Sequence, residues 1–254
     1  MDTQGLKITV PLNEAFRVMQ FNHHNQTSNQ TSNQINTMQF KPIGRWLVGV
    51  AMLGLVSITG MAPVRADSGL FNSPVDQLPA ATRTILRSGS SVVTGEKGKY
   101  VAQVLVTGTM DTAWSVLTDY DNAARFMPNV ESNKIVETRK DSKIVEQVSS
   151  QQVFLFTIKS RVKLVVTESN RRRVDFKLQD SDQLQSMTGY WQIEPIAAYQ
   201  GATPTQVLIT QVVESQPKPG IPQGTFYDIF KNTLAKTMSA LGREMTTREA
   251  AKSK

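Results

Sequence analysis

Residues 225–250, TFYDIFKNTLAKTMSALGREMTTREA, decide how this chain is read. Phe226, Ile229, Phe230, Leu234, Met238, Leu241 and Met245 recur at spacings of three and four, which places them on one face of an α-helix of roughly 25 residues. Lys231, Lys236, Arg243, Glu244 and Arg248 take the other faces. A helix so apolar along one side must lie on another apolar surface. The segments before it read as strands, so the pattern predicts an α+β fold with this helix laid across a curved antiparallel sheet. Any functional space belongs between the two.

Going back from the helix, Pro217, Pro219, Gly220, Pro222 and Gly224 form a stiff connector. Before it come five to six strands with no helix between them: 130–139, 143–151, 153–166, 173–179, 185–194 and 205–214. The clearest is 153–166. Phe154, Phe156, Ile158, Ser160, Val162, Leu164 and Val166 take one face, and Thr157, Lys159, Arg161 and Lys163 the other, as in an antiparallel strand with one solvated side. Val174, Phe176 and Leu178 alternate with Arg173, Asp175 and Lys177 in the same way, and Met187, Trp191 and Ile193 share a face around Gly189. Ahead of this meander, 99–108 reads as the first strand. Two short helices follow, over 112–117 with Thr109 or Asp111 as cap, and over 122–126 with Asp121 as cap. Residues 67–98 are a lead-in, with a short helix at 80–86 and a Gly95–Gly98 turn between two β-like runs.

The N-terminal quarter has a different character. Residues 1–40 are rich in Gln, Asn, Ser and Thr and predict a disordered polar segment. Residues 41–66 predict a secretory signal: Lys41 and Arg45, an apolar run Trp46–Thr59 of 14 residues, and Val64 and Ala66 at −3 and −1 of a cut before Asp67. The run is shorter than the roughly 20 residues that span a membrane, so the expectation is a cleaved signal, with an uncleaved anchor over 46–64 as the alternative. A start at Met38 gives this signal an ordinary length. The implied location is exported, in a periplasm or a thylakoid-type lumen.

The 254-residue chain has no Cys, and its two His, His23 and His24, precede the signal. The region after Ala66 therefore builds no Ser-His-Asp triad, no Cys nucleophile and no zinc site of the usual N/S type. It contains neither a P-loop nor GxGxxG. It holds 23 Lys and Arg against 19 Asp and Glu, a mild excess that argues against a dedicated nucleic-acid binder.

The stretch VTGTMDTAWSVLTDYDNAARFMPNV, residues 106–130, resembles the opening motif of the START-like, or SRPBCC, superfamily, and MTGYWQIEP at 187–195 is similar to its later Gly-x-Trp strand. The nearest branch is the polyketide cyclase/dehydrase and coenzyme-Q-binding group, and the resemblance covers about residues 99–250. It implies a helix-grip fold: about seven antiparallel strands curved around the long C-terminal helix. It also implies a cavity between them that holds a lipophilic molecule. Alternation alone reaches the sheet and its helix; the cavity comes from the resemblance.

On that basis the candidate pocket residues are Trp114, Phe126, Met127, Phe154, Phe156, Met187, Trp191, Phe226, Phe230 and Leu234, each of which also suits a plain core. Tyr190 and Gln211 are candidate polar contacts, subject to strand parity. Asp119-Tyr120-Asp121 is the densest acidic spot, read chiefly as helix capping; Asp119 and Tyr190 are the acid–base candidates. Lys159, Arg161, Lys163, Arg171, Arg172 and Arg173 predict a basic patch on the outer sheet face, suited to an anionic membrane surface or to no partner at all. No metal or cofactor is expected. Three functions fit: an exported carrier for a prenylquinone, isoprenoid, polyketide or lipid; a polyketide cyclase or dehydratase; and a docking module with a closed cavity. For the carrier the mechanism is burial. Covering about 300 Å2 of apolar ligand is worth roughly 7 kcal/mol before ordering costs.

Overall fold

The computed structural model describes residues 73–153 and 156–252; the side chains of Val153 and Phe156 are also outside it. The polar segment, the signal or anchor at 41–66, and Phe154 thus lie outside the described residues.

Eight strands form one antiparallel sheet. They are β1 (Val92–Glu96), β2 (Lys99–Thr107), β3 (Val130–Thr138), β4 (Lys143–Val153), β5 (Phe156–Ser169), β6 (Arg173–Ser181), β7 (Leu184–Ile196) and β8 (Gln206–Pro217). Their spatial order is β1-β2-β8-β7-β6-β5-β4-β3. From β3 to β8 the chain meanders, each strand pairing with the next. β8 then closes onto β2. The strand beyond the expected seven is β1, drawn from the lead-in. It pairs with β2 through a two-residue turn, Lys97-Gly98, in which both residues have positive φ (52° and 87°), as a tight right-twisting hairpin requires. A Cβ at Gly98 would also meet the Ser215 carbonyl oxygen at 2.2 Å.

The lead-in helix α1 (Ala80–Arg87) lies on the outer face of the sheet. Leu86 and Val75 pack there with Leu105, Ile196 and Leu208, which the pleat turns away from the main core. Arg83 donates to the Asp76 carbonyl (2.7 Å) and Arg87 pairs with the Asp76 carboxylate (2.5 Å), latching the segment down.

After β2, Thr109 caps α2 (Met110–Leu117) by accepting a hydrogen bond from the Thr112 amide. The second predicted helix is a single 3-10 helix, Tyr120–Arg125, starting two residues earlier than expected. Asp121 is therefore inside it and does not cap it. Its carboxylate accepts from the Ile135 amide (3.1 Å), tying the helix to β3.

The C-terminal helix α3 runs Gln223–Lys252, longer than its apolar stripe because polar residues extend both ends. Its two halves differ. Met238, Leu241 and Met245 are fully buried (0 % exposed) among Val104, Val106, Ala113 and Ile209. In the other half Phe226 and Leu234 are buried, but Ile229 and Phe230 between them are only half-buried. The C-terminal end is clamped. Glu249 accepts hydrogen bonds from the Thr109 amide (2.9 Å), the Thr109 hydroxyl (2.8 Å) and the Thr112 hydroxyl. Arg248 donates to Asp119 (2.7 Å) and to the Ser115 carbonyl (3.2 Å). The bonds to Glu249 hold its carboxyl down to about 2, the Thr112 hydroxyl contributing most.

Candidate functional site

The half-buried stretch of α3 faces a hollow. A cavity of about 330 Å3 lies between the N-terminal half of the helix and the concave side of the sheet, at the lower end of the roughly 300–1,000 Å3 usual for small-molecule sites. The helix supplies Phe226, Ile229, Phe230, Thr233, Leu234 and Thr237. The sheet supplies Val145, Leu164, Val166, Val174, Phe176 and Trp191, all at inward positions of the pleat. Leu117, Ala123, Phe126, Met127 and Pro128 close one end. Gln147, Ser149 and Gln151 on β4 and Ser160 on β5 add a polar stripe along one wall.

Aromatic packing shapes the helix wall. The Phe226 and Phe230 rings stack 5.7 Å apart, and Tyr100 lies 5.9 Å from Phe230. Gly189 shapes the floor. A Cβ there would sit 2.1 Å from the Val212 carbonyl oxygen and 2.7 Å from Phe176, so only glycine lets Phe176 lie over β7.

Of the predicted pocket residues, Phe126, Met127, Met187, Trp191, Phe226, Phe230 and Leu234 line this cavity. Trp114 does not; α2 turns its ring against the packed core. Tyr190 is on the opposite face of β7 from Trp191, where the Arg173 guanidinium stacks 3.7 Å from its ring centroid, so it offers no acid–base group to the hollow. Gln211 faces inward and lines the cavity.

Asp119 also lines the cavity but is committed elsewhere. It accepts from Asn122 (2.7 Å) and from Arg248. Burial pushes its carboxyl up, but the bonds from Asn122 and Arg248 outweigh that, and it stays below the ordinary carboxylate value. It is thus an ionised structural partner and not a proton donor. Tyr120 donates to Glu168 (3.0 Å), which also accepts from Lys143 (2.6 Å). Burial first, and the Glu168 charge second, raise the Tyr120 phenol far above its ordinary value, so it remains a neutral donor.

The basic residues do not form an unpaired patch. Arg161 is within 3.6 Å of Glu146, 2.8 Å of Asp180 and 3.3 Å of Asp182. Lys163 pairs with Glu146, Lys159 with Glu131, Arg171 with Asp111 and Arg173 with Asp175. Arg172 is exposed at the β5–β6 turn. Among the described residues no acidic cluster is placed to hold a metal ion, and no helix is long and apolar enough to cross a membrane.

Among the lining residues that the sequence missed or underweighted, two carry unpaired polar atoms. Asn133, on β3, lines the cavity; the signal was its inward parity with Ile135. Gln211 sits in an otherwise apolar series, Val207, Ile209 and Val213, all buried. Asn133 Oδ1 and Gln211 Oε1 are buried without a hydrogen-bond partner.

A family model described as polyketide cyclase / dehydrase and lipid transport matches residues 106–241. Solved structures are similar in fold at low identity. TTHA0849 from Thermus thermophilus is 14 % identical over 61 % of this chain and 98 % of its own, with a TM-score of 0.49. The Zhui aromatase/cyclase from Streptomyces sp. R1128 is 16 % identical over 63 % and 98 %, with a TM-score of 0.45. A STAR-related lipid transfer protein from Xanthomonas axonopodis is 14 % identical over 61 % and 92 %, with a TM-score of 0.46. No curated protein matches the sequence.

Proposed function

The chain belongs to the polyketide cyclase/dehydrase and lipid transport family, and from that premise we propose that it is an exported carrier that shelters a lipophilic small molecule, such as a prenylquinone, isoprenoid, polyketide or lipid. The observation that carries this reading is the contrast along α3. One apolar stripe is fully buried at Met238, Leu241 and Met245, yet half-buried at Ile229 and Phe230 over a cavity of about 330 Å3. Between the buried Phe226 and Leu234 the helix faces open space rather than packed side chains.

The work is done by burial. A guest covered over about 300 Å2 of apolar surface gains roughly 7 kcal/mol, reduced by the ordering of the guest and its walls. The wall chemistry supports carriage over turnover: Asp119 is ion-paired, Tyr120 is held by Glu168, and the remaining polar lining is mostly amides and hydroxyls. Entry proceeds by displacement of the Pro/Gly connector and the N-terminal half of α3, while the Glu249 and Arg248 contacts keep the other end seated. Export rests on the signal read at 41–66.

The test is titration with N-phenyl-1-naphthylamine, a neutral lipophile that fluoresces in apolar surroundings. Saturable uptake of one equivalent, reversed by a lipid extract of the native cells, is expected. Absence of uptake by folded protein sinks the proposal.

A further inference from the structure

We infer that the guest is an apolar body carrying hydroxyl groups at two separated points, one read by Gln211 and one by Asn133; this rests on the carrier reading above. Three observations converge. Both side chains line the cavity, and both are more than nine-tenths buried, at 5 % and 7 % exposed. In each the amide oxygen is without a hydrogen-bond partner, and no other buried side-chain polar atom among the described residues is so left. By contrast the buried amide of Gln103, outside the cavity lining, donates to Thr210 (3.2 Å). A buried polar atom left unpaired is costly, and both amides border the hollow, so a donor seated there bonds these oxygens once the amides turn towards it.

Which end of the Asn133 amide is oxygen is fixed, because its Nδ2 donates to the Tyr120 carbonyl (2.8 Å) and leaves Oδ1 as an acceptor only. The partner it lacks is a donor, which a hydroxyl supplies and an ether or ketone does not. A hydroxyl also suits Gln211 whichever way its amide is turned, since it both donates and accepts.

Their positions set the shape of the guest. Gln211 is on β8 and Asn133 on β3, with β7, β6, β5 and β4 between them. The apolar floor across those strands is Trp191, Val174, Phe176, Val166, Leu164 and Val145, and the polar stripe of Gln147, Ser149, Gln151 and Ser160 lies on the Asn133 side of it. A matching guest has a greasy middle and a hydroxyl towards each side.

The experiment displaces bound N-phenyl-1-naphthylamine from the full exported chain with α,ω-alkanediols of eight, ten and twelve carbons, each against its dimethyl ether. The flexible chains let the separation of the two walls select the length. Lipophilicity alone favours the ethers. The inference predicts that at one length the diol binds about tenfold to a hundredfold more tightly than its ether. Gln211→Met, close in volume, is expected to remove most of that preference, read as the ratio of diol to ether affinity within the variant itself. Ethers that bind as tightly as diols at every length, with the fluorophore taken up normally, overturn this inference and leave the carrier reading standing; water then fills the role of donor. A preference unchanged in Gln211→Met overturns the role of Gln211. Failure to take up the fluorophore overturns both. The comparison in the unmutated protein decides the matter even where a variant does not fold.

Discussion

Phe230→Asp puts a carboxylate into the wall of the hollow, on the half-buried stretch of α3. Loss of the ring removes its contacts with Phe226 and Tyr100, each aromatic contact being worth about 0.5–1.5 kcal/mol. Half-burial of the ring adds about 2.5 kcal/mol, taking roughly 100 Å2 at 25 cal/mol per Å2. The sum, about 3.5–5.5 kcal/mol, falls on one end of α3. The Met238–Met245 half and the Glu249 clamp are untouched, so the sheet and the C-terminal half of the helix are expected to keep their circular dichroism. In the empty protein the carboxylate is hydrated by the hollow. Binding an apolar guest strips that water, at a cost of several kcal/mol. Taking about 4 kcal/mol, affinity for N-phenyl-1-naphthylamine falls about a thousandfold. The loss is pH-dependent: protonating the new carboxyl removes the charge, so affinity partly returns as the solution is acidified. Fluorescence titration at two pH values, with far-ultraviolet circular dichroism on the same samples, reads all of this. Affinity within threefold of the parent, in a folded variant, refutes the placement of Phe230 on a ligand wall.

Three further outcomes follow from the packing. Met238→Ala, in the fully buried half of α3, is expected to cost about 2–5 kcal/mol in urea unfolding while leaving fluorophore affinity within a few-fold. Gly189→Ala drives a Cβ into the Val212 carbonyl and Phe176; a loss of about 1–3 kcal/mol and weaker fluorophore binding are expected from the same titrations. Glu249→Gln weakens the clamp on α2 by about 1–3 kcal/mol at neutral pH. Because the folded carboxyl is depressed to about 2 from 4.5, its contribution is complete above 4.5 and lost as pH falls through 2. The gap between parent and variant in unfolding midpoint should therefore narrow from pH 6 to pH 3; a constant gap contradicts the carboxylate's role.

Much of the fold was legible because periodicity reports burial directly. Near-alternation from Ile158 to Leu164 and the three-and-four spacing of α3 each leave one arrangement that buries the apolar side. The eighth strand was harder, since a five-residue run such as Val92–Glu96 carries too few alternations to stand alone, and its place comes from pairing with β2. The hollow was not legible from periodicity. Phe230 and Met238 belong to one stripe, and only the distance from helix to sheet says that one is packed and the other faces space. Trp114 shows the converse, an aromatic in the family's opening motif that packs into core. The basic run misled for a related reason: the acids that pair Arg161 and Lys163 sit on or beside neighbouring strands, at Glu146, Asp180 and Asp182, and register alone brings them together. Asp121 lost its capping role because the 3-10 helix begins at Tyr120, one position before it.

The most direct measurement is mass spectrometry of an organic extract from protein purified out of the cells that make it. The account predicts a single class of lipophilic compound at close to one equivalent, chemically unchanged after prolonged incubation with the protein. Extracts no richer in any organic compound than those of Phe230→Asp purified in parallel, or a compound that the protein converts to another, would contradict it.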